Sequence, residues 1–453
     1  MNINRDDGAI YQILGSILQQ LYILLHMIMS YQYMYGERDG PVIVPCTMVP
    51  FLSSIDTVSL FNFIKNLISS PAFLAPITKD SSTKKYMLTI YLKTPPQPTN
   101  LLLDLGASFT LLDCLHTCGS SPCGSPQFLK NSLTRKPPLM GQPVVDSLSM
   151  PVTDGVNPGQ LGSIPEFVFS CSKRSALKGL AKGAAGFGGL GRSNLSIPAQ
   201  VSNSSSESLI FALCLSGSPS APGVAFFGSS GPYYFIPEID LSKYLNYTPL
   251  LSYPVESTVV SYSNPSNEYF IGLTNIKVNG KPIDFNRTVL SIDGKGYGGT
   301  KLSTVTPYTV LQSTIFKALT EAFVNESAAL NLTVREPVKP FHVCYNADEI
   351  MSSRVGPTVP TIDFVLQDDD VIWRVLGSNS MVRIYHDDVH AWCLGFLDGG
   401  AHPKTAVVIG GHQMEDNLLQ FDLEAGRLGF SSSVLVHGTM CANFNFTTNN
   451  NLR

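Results

Sequence analysis

The feature that most constrains this chain is a run of apolar residues that ends in one carboxylate. Residues 101–114 read Leu-Leu-Leu-Asp-Leu-Gly-Ala-Ser-Phe-Thr-Leu-Leu-Asp-Cys, so Asp104 follows a strand-like run and Gly106 permits a tight turn. A carboxylate presented on a loop between two buried strands is typical of a catalytic aspartate. An ordinary turn aspartate after a strand has the same local pattern, and a second, matching stretch has to decide between them.

A second stretch with the same outline spans residues 298–311, but it lacks the acid. Ser303 stands at the position of Asp104, and Val305 stands at the position of Gly106. Peptide hydrolysis by paired aspartates needs two carboxylates that share one proton, so that one is a base toward water and the other an acid toward the carbonyl. A serine hydroxyl holds neither that charge nor that proton near neutral pH. The pair Asp104 and Ser303 therefore predicts a fold without peptidase chemistry and no catalytic residue.

A glycine-rich or apolar-Gly segment follows each stretch by about a hundred residues. Residues 184–192 satisfy the pattern G-x-G-x-x-G, but no clear strand–turn–helix unit frames them, so we reject a dinucleotide site. The segment fits better as an apolar support for the Asp104 loop, and residues 407–411 would support the second loop. Because the order of loop and support occurs twice, the sequence predicts two similar lobes.

The composition favours a secreted all-β protein. Of the 453 residues, 44% are hydrophobic and only 14% are charged, with 37 Gly and 31 Pro. Such a chain draws its surface from hydroxyls and turns, as secreted all-β proteins often do. The net charge is −4 and no block of Lys or Arg occurs, so we expect no nucleic-acid partner. We also expect no cofactor, since the glycine-rich segment is rejected as a dinucleotide site, and no metal, because the His residues show no H-E-x-x-H motif.

The nine cysteines are widely spaced, which favours disulfides over a zinc site. With Cys46 set aside, eight disulfide candidates remain: Cys114, Cys118, Cys123, Cys171, Cys214, Cys344, Cys393 and Cys441. Seven N-x-S/T sequons agree with a secretory route and are predicted glycosylation sites: Asn194, Asn203, Asn246, Asn286, Asn325, Asn331 and Asn445.

The pattern of apolar and turn residues divides the chain into three segments. Residues 1–71 are atypical, and within them residues 10–29 place Ile and Leu at helical spacing without Asp, Glu, Lys or Arg. This predicted helix is a candidate signal or anchor segment, although it lacks a small-residue cleavage site and has an acidic flank. Membrane contact is expected only if this helix is retained. A first lobe is expected at 72–250 and a second lobe at 251–453.

Several local elements are predicted from periodicity and turn residues. Residues 84–92 alternate as a strand, and Asn279-Gly280 predicts a hairpin turn after a strand at 270–278. Residues 313–325 predict a helix with one apolar face. Residues 421–430 predict a hairpin that closes the second lobe. Trp373 and Trp392 are expected as core or strand aromatics rather than sugar platforms, and His412 as a structural hydrogen-bonding residue.

Three long strings carry a resemblance to a known family: residues 377–382 (Gly-Ser-Asn-Ser-Met-Val), 410–417 (Gly-Gly-His-Gln-Met-Glu-Asp-Asn) and 441–446 (Cys-Ala-Asn-Phe-Asn-Phe). Together with Asp104-Leu105-Gly106, they make the chain from about residue 72 resemble plant pepsin-like proteins that have lost peptidase activity. These are the extracellular dermal glycoprotein, the basic 7S globulins, and the xyloglucanase and xylanase inhibitors. The resemblance implies an all-β, bilobal pepsin-like fold.

The chain departs from that family in three places. Pepsin-like loops carry a hydroxyl after the acid, where this chain has Leu105. Relatives carry a longer cysteine-rich segment after the residue that matches Cys114, so we expect a truncated first lobe. They also begin with an ordinary signal peptide, which is not evident here. The resemblance nevertheless implies an extracellular, apoplastic location.

The same resemblance implies a protein partner. Members of this branch inhibit microbial cell-wall glycoside hydrolases, such as a xyloglucan endoglucanase or a xylanase, by inserting loops of the second lobe into the glycan cleft. A cation on such a loop can pair with the two carboxylates of a retaining glycosidase. Candidate contacts are Arg335, Lys339, His402 and Lys404, each of which could equally be an ordinary solvated surface charge. Two alternatives stay open: an active aspartic endopeptidase, and a storage or peptide-binding globulin.

Overall fold

The computed structural model describes residues 72–452, apart from 114–141, 173–176, 178, 206, 253, 256–263, 368–369 and 387–388. The expected N-terminal helix lies outside the described residues. So do Cys114, Cys118 and Cys123 and the segment in which the first lobe was expected to be shortened. Within the described part of the chain, no helix is long and apolar enough to cross a bilayer.

Short strands make up most of the described chain. In the first half they are β1 (Ala72–Lys79), β2 (Tyr86–Leu92), β3 (Gln97–Asp104), β4 (Leu111–Asp113), β5 (Gln142–Thr153), β6 (Pro158–Ser172), β7 (Gly186–Gly189), β8 (Ile210–Cys214), β9 (Gly223–Phe227) and β10 (Asn246–Leu251). In the second half they are β11 (Pro254–Val255), β12 (Asn264–Pro265), β13 (Phe270–Ile271), β14 (Leu273–Val278), β15 (Lys281–Pro282), β16 (Thr300–Leu302), β17 (Thr309–Leu311), β18 (Val334–Arg335), β19 (Cys344–Asn346), β20 (Ser352–Ser353), β21 (Gly356–Pro357), β22 (Ile362–Leu366), β23 (Ile372–Val375), β24 (Met381–His386), β25 (Val389–Leu394), β26 (Phe396–Asp398), β27 (Val407–Ile409), β28 (Leu418–Asp422) and β29 (Arg427–Phe430).

Helices are few among the described residues. The α-helices are α1 (Ile197–Ser205), α2 (Ser313–Ala328), α3 (Gly377–Ser380) and α4 (Gly411–Met414). Short 3-10 turns occur at Leu241–Tyr244, Arg287–Leu290, Ala347–Glu349, Val434–His437 and Cys441–Asn443. The predicted helix at 313–325 is confirmed as α2, which extends three residues further. Its predicted apolar face is buried through Ile315, Phe316, Leu319 and Phe323.

The predicted internal repeat is present as two strand arrangements with the same pairing. Strand β3 runs parallel to β7, β4 runs parallel to β6, and β4 is antiparallel to β7. In the second arrangement β16 runs parallel to β27, β17 runs parallel to β26, and β17 is antiparallel to β27. The loops after β3 and β16 carry Asp104 and Ser303, so the two stretches singled out in the sequence occupy matching places.

Close backbone packing explains the glycine that ends each support segment. A Cβ on Gly189 would lie 2.5 Å from the carbonyl oxygen of Phe109. A Cβ on Gly410 would lie 2.3 Å from the carbonyl carbon of Tyr308. Both distances are far below van der Waals contact, so only glycine lets each support strand approach its loop. The supporting role predicted for these segments is confirmed.

The C-terminal hairpin has the predicted strands, and both of them also pair with strands from the first half of the chain. Strands β28 and β29 pair with each other, and the turn at Asn279 and Gly280, both with positive φ, similarly connects β14 to β15. However, β28 also pairs with β8, and β29 pairs with β10. Since β8 continues through β9 to β1, the hairpin completes a sheet shared with the first-lobe strands. The predicted hairpin is therefore present, and strands that are distant along the chain supply its further partners.

Two disulfides are present among the described cysteines, as predicted. Cys214 is bonded to Cys441 across 227 residues, and Cys344 is bonded to Cys393 between the paired strands β19 and β25. Cys171 is also disulfide-bonded. The lobe boundary near residue 250 stays a prediction.

Candidate functional site

The first loop holds Asp104 at the end of β3 in a half-buried position. Its Oδ1 accepts a hydrogen bond from the backbone N–H of Gly106 at 2.8 Å. Burial raises the pKa of Asp104 above its ordinary range, and the nearby charge of Glu268 adds to the rise. The backbone N–H groups of Gly106 and Ala107, and the charge of Lys301, act in the opposite direction. Leu105 beside it is fully buried, so an apolar side chain fills the place where the resemblance puts a hydroxyl.

The second loop presents a hydroxyl at the matching place. Ser303 follows β16 and is 8% exposed. Its Oγ lies 2.9 Å from Oγ1 of Thr306, and its backbone N–H donates to the carbonyl of Ile409 at 2.9 Å. The loop is therefore held by neutral hydrogen bonds, and of the two matching positions only Asp104 can ionise.

Thr304 joins the two loops, and the sequence reasoning missed it. Its Oγ1 donates to the carbonyl of Leu103 at 2.7 Å and accepts from the backbone N–H of Leu105 at 3.3 Å. These bonds cross about two hundred residues of sequence and are buried on both sides. The equivalent bonds from the first loop to the backbone of the second loop cannot form, because Leu105, which matches Thr304, has no hydroxyl. A signal was available: in a repeat of two matching loops, only one carries a hydroxyl directly after the catalytic-type position.

The rim of the Asp104 loop is formed by a segment that was not predicted to take part. Asn267 donates to Oγ of Ser108 at 2.7 Å. Glu268 forms an ion pair with Lys301 at 2.5 Å, and its Cγ lies 3.3 Å from the place of a Cβ on Gly106. The Glu268 carboxylate therefore bonds to an ammonium group instead of sharing a proton with Asp104.

The predicted contact residues lie on two separate segments of the second half. Arg335 is half-buried on β18, and its Nη1 donates to the carbonyl of His390 at 3.1 Å, while Lys339 is exposed four residues later. His402 and Lys404 are exposed in the loop between β26 and β27. Arg335 bonds to the β24–β25 hairpin and not to the Lys404 loop, so each segment is anchored independently.

The loop that carries Lys404, residues 399–405, is fixed at both ends. Ser313 donates to the carboxylate of Asp398 at 2.7 Å, and Gln312 donates to the carbonyl of Ala401 at 3.1 Å. The backbone N–H of Gly298 donates to the carbonyl of Lys404 at 2.9 Å. Tyr297, which precedes Gly298 in the chain, is 51% exposed. Sequence reasoning missed Tyr297 because the bond between Gly298 and Lys404 depends on tertiary packing.

The other predicted residues are placed as follows. All seven sequon asparagines are exposed. Trp373 is buried, and Trp392 is half-buried on β25, so both are strand or core aromatics as predicted. The ring of His412 bonds to the carbonyl of Met381 at 3.0 Å and to Glu415 at 3.2 Å, which confirms its structural role. Among the described residues, no group of three or more His, Cys, Asp or Glu side chains is arranged to hold a metal ion.

Comparison with known families and proteins agrees with this geometry. Residues 116–229 match the family described as xylanase inhibitor N-terminal, and residues 268–432 match xylanase inhibitor C-terminal. A probable aspartic proteinase GIP1 of Glycine max is 44% identical, over 87% of this chain and 96% of that protein. A gamma conglutin 1 of Prunus dulcis is 37% identical, over 82% of this chain and 89% of that protein.

Solved structures show the same fold. The crystal structure of edgp matches with a TM-score of 0.76 and 42% identity, covering 83% of this chain and 99% of that one. The crystal structure of conglutin gamma, a basic 7S globulin from lupine seeds, matches with a TM-score of 0.66 and 29% identity, covering 84% of this chain and all of that one. The two family matches and the relatives agree with the two matching loops of the structure. The chain therefore belongs to the pepsin-like family of xylanase-inhibitor-type proteins that includes the gamma conglutins and basic 7S globulins.

Proposed function

We propose that this chain is a secreted, catalytically inactive pepsin-like protein that binds and inhibits a microbial cell-wall glycoside hydrolase. The target class is a xyloglucan endoglucanase or a xylanase. The contact is made by the segments that carry Arg335 and Lys339 and by the loop that carries His402 and Lys404. The observation that carries the proposal is the anchored Lys404 loop, which presents an exposed cation on a backbone that hydrogen bonds fix at both ends.

Loss of peptidase chemistry follows from the two loops. Asp104 is the single ionisable group of the pair, and Ser303 cannot act as the second carboxylate. We therefore expect no cleavage of a denatured protein at acid pH, with or without pepstatin. An Asp104→Ala variant is the control, since cleavage that persists in it comes from a contaminant. Pepstatin-sensitive cleavage that requires Asp104 would instead support an active endopeptidase.

Rigidity supports a role for the Lys404 loop in binding. A loop that is already fixed before binding loses little conformational entropy in the complex. Tyr297, the residue before the Gly298 that bonds to Lys404, offers an exposed apolar and hydrogen-bonding surface, and such aromatics are common at the centre of protein interfaces. Arg335 keeps most of its five donors free of the bond to His390, so it can still make a two-pronged contact with a carboxylate.

The direct test is inhibition of a fungal xyloglucanase and of a fungal xylanase by purified protein. The variants Arg335→Ala and Lys404→Ala should each weaken inhibition by about 10–100-fold, because each leaves a hydrolase carboxylate without its partner. Lys243→Ala is the matched control, since Lys243 is an exposed lysine far from these loops in sequence. It should leave the inhibition constant unchanged.

A double-mutant cycle tests the pairing itself. Lys404→Ala is combined with a Glu→Gln change in each catalytic carboxylate of the hydrolase, and binding is measured by calorimetry. Coupling of about 1.5 kcal/mol or more with one carboxylate supports a direct pair. Zero coupling with both carboxylates would show that Lys404 does not enter the cleft.

The relatives favour one competing function. The gamma conglutin and basic 7S globulin relatives suggest a storage or peptide-binding role, which the same fold can serve. Bulk accumulation in seeds without inhibition of either hydrolase would favour that role.

A further inference from the structure

A cavity of about 440 Å³ lies beside the second stretch, which contributes Pro307 and Tyr308 to its lining. It is lined by residues from early in the chain, such as Lys79 and Lys84, and by residues from late in the chain, such as Tyr308 and Glu415. None of its lining residues is Asp104, Ser303 or one of the proposed hydrolase contacts. Its size is within the range of pockets that hold a small organic ligand.

A buried charge cluster forms one wall of the cavity. The Glu415 side chain is 7% exposed, forms an ion pair with Lys79, and accepts a hydrogen bond from the hydroxyl of Tyr86. It also faces Nδ1 of His412 at 3.2 Å. Although burial alone would raise the pKa of Glu415, the bonds and charges of His412 and Lys79 lower it. The carboxylate is thus fully engaged by groups of the protein.

Lys79 in this wall keeps a donor for a ligand. It donates to Glu415 and to the carbonyl of Gly217, at 3.4 Å for the latter, which leaves one of its three N–H groups. Both ring nitrogens of His412 already contact protein oxygens, since Nδ1 lies 3.2 Å from Glu415 and Nε2 lies 3.0 Å from the carbonyl of Met381. The Lys79 ammonium is therefore the group of this wall that can bind an anionic ligand.

The rim adds further cations and aromatic rings. Lys84 and Arg383 are both exposed, and the Arg383 guanidinium lies 5.6 Å from the ring centre of Trp392. Tyr385 is 69% exposed, and Tyr308 is partly buried. Lysine and arginine bind carboxylates, while indole and phenol rings stack on the apolar faces of sugar rings. The lining combines these two kinds of group within one cavity.

We propose that this cavity binds a small acidic saccharide, that is, an oligosaccharide whose sugar rings carry carboxylates. The carboxylates are held by Lys79, Lys84 and Arg383, and a sugar ring packs against the exposed ring of Tyr385. The single carboxylate of the lining is already paired with Lys79, so it does not repel the ligand. This binding does not depend on hydrolase inhibition, because the two sets of residues are separate.

Tryptophan fluorescence offers a local readout. The chain has two tryptophans, and Trp373 is 1% exposed, so a ligand in the cavity changes the emission of Trp392. Titration with trigalacturonic acid should change the emission in a saturable way. A neutral galactose trisaccharide should bind at least about tenfold more weakly, and the binding of the acid should weaken at high ionic strength. Inorganic phosphate serves as the probe for a simple anion site.

The rim variant Lys84→Ala/Arg383→Ala should weaken binding of the acidic trisaccharide by about tenfold or more, since it removes two of the three permanent cations. Lys243→Ala is again the matched control. The unfolding midpoint of each variant is measured, and if the rim variant is unfolded, the comparison of acidic and neutral sugars on the unaltered protein decides. Equal binding of acidic and neutral sugars, no binding at millimolar concentration, or phosphate binding as tight as the saccharide would each overturn the proposal.

Discussion

Asp104 keeps its carboxylate although the matching position on the second loop carries Ser303. In a pair of aspartates the shared proton relieves the burial of the charges, and here that relief is missing. Burial raises the pKa of Asp104, so the folded protein binds the Asp104 proton more tightly than the unfolded chain does. Ionised Asp104 is therefore a small cost to stability that acts whenever the pH lies above the ordinary range of the group.

This cost predicts how the Asp104→Asn variant depends on pH. The stability of the unaltered protein falls as the pH rises from the ordinary pKa of 3.8 through the raised pKa of Asp104. The reason is that the folded state keeps the Asp104 proton up to a higher pH than the unfolded chain does. Asp104→Asn removes this loss and should raise the melting temperature by roughly 1–2 °C at neutral pH. The gain should vanish below pH 3.8. Calorimetric melting from pH 3 to pH 7 measures it.

Asp80 supplies a control of opposite sign. Hydrogen bonds from Thr83 and Ser82 lower the pKa of Asp80 to about 2, against a smaller effect of burial. Its stabilising contribution is therefore present above 3.8 and is lost as the pH falls toward 2. Asp80→Asn should lower the melting temperature at neutral pH. A shift of the same sign in both variants would contradict this account of Asp104.

At the scale of elements, the two loops are fixed to each other by one side chain. Thr304 supplies both buried bonds between them, to the carbonyl of Leu103 and to the N–H of Leu105. The pairing of the loops is therefore preserved even though the second carboxylate is gone.

Thr304→Val is expected to lower the free energy of unfolding by about 2–4 kcal/mol, because a buried carbonyl and a buried N–H each lose their partner. Urea unfolding followed by circular dichroism measures the change. Thr306→Val is the matched control: it removes only the partly buried contact with Ser303 and should cost less than about 1 kcal/mol. Equal losses in the two variants would show that the loops are held together by other contacts.

The sequence predicts local elements well and their partners poorly. The repeat of loop and support was predictable, because close contacts with nearby backbone require glycine at Gly189 and Gly410. The turn at Asn279-Gly280 was predictable because both residues readily adopt the positive φ that a tight hairpin turn requires. The bonds of Thr304 were not predicted, since their partners lie about two hundred residues earlier. Comparison of the two matching stretches marks Thr304 as the residue with a hydroxyl at this position, but it does not identify the groups to which that hydroxyl bonds.

At the scale of the whole molecule, the end of the chain completes structure that begins near residue 72. Strand β28 lies between β8 and β29, and Cys441 is bonded to Cys214. The ion pair of Lys79 and Glu415 crosses 336 residues of sequence. Pairing of this kind leaves no local pattern, which is why the hairpin could be predicted and its further partners could not. The candidate contact residues could be named from the resemblance, but the anchoring of their loops could not.

The long-range disulfide should contribute more than the short one. Cys214→Ser/Cys441→Ser should lower the free energy of unfolding by about 3–5 kcal/mol, since the bond closes a loop of 227 residues. The disulfide between Cys344 and Cys393 closes a loop of only 49 residues. Its removal in Cys344→Ser/Cys393→Ser should therefore cost about 1 kcal/mol less. All four cysteines are fully buried, so the pair is matched. A larger loss from the shorter loop, measured by urea unfolding, would contradict the entropic explanation.

The position of β28 has a consequence for synthesis. Strand β8 is entirely buried in the finished protein, yet its neighbour β28 follows it by roughly 200 residues. At the elongation rate of a ribosome, about 5–20 residues per second, the nascent chain carries this apolar edge unpaired for roughly 10–40 s. During that interval the edge is open to other strands and to chaperones. A message that stops before codon 418 would thus yield a chain whose first sheet lacks its last neighbour, however intact the earlier sequence is.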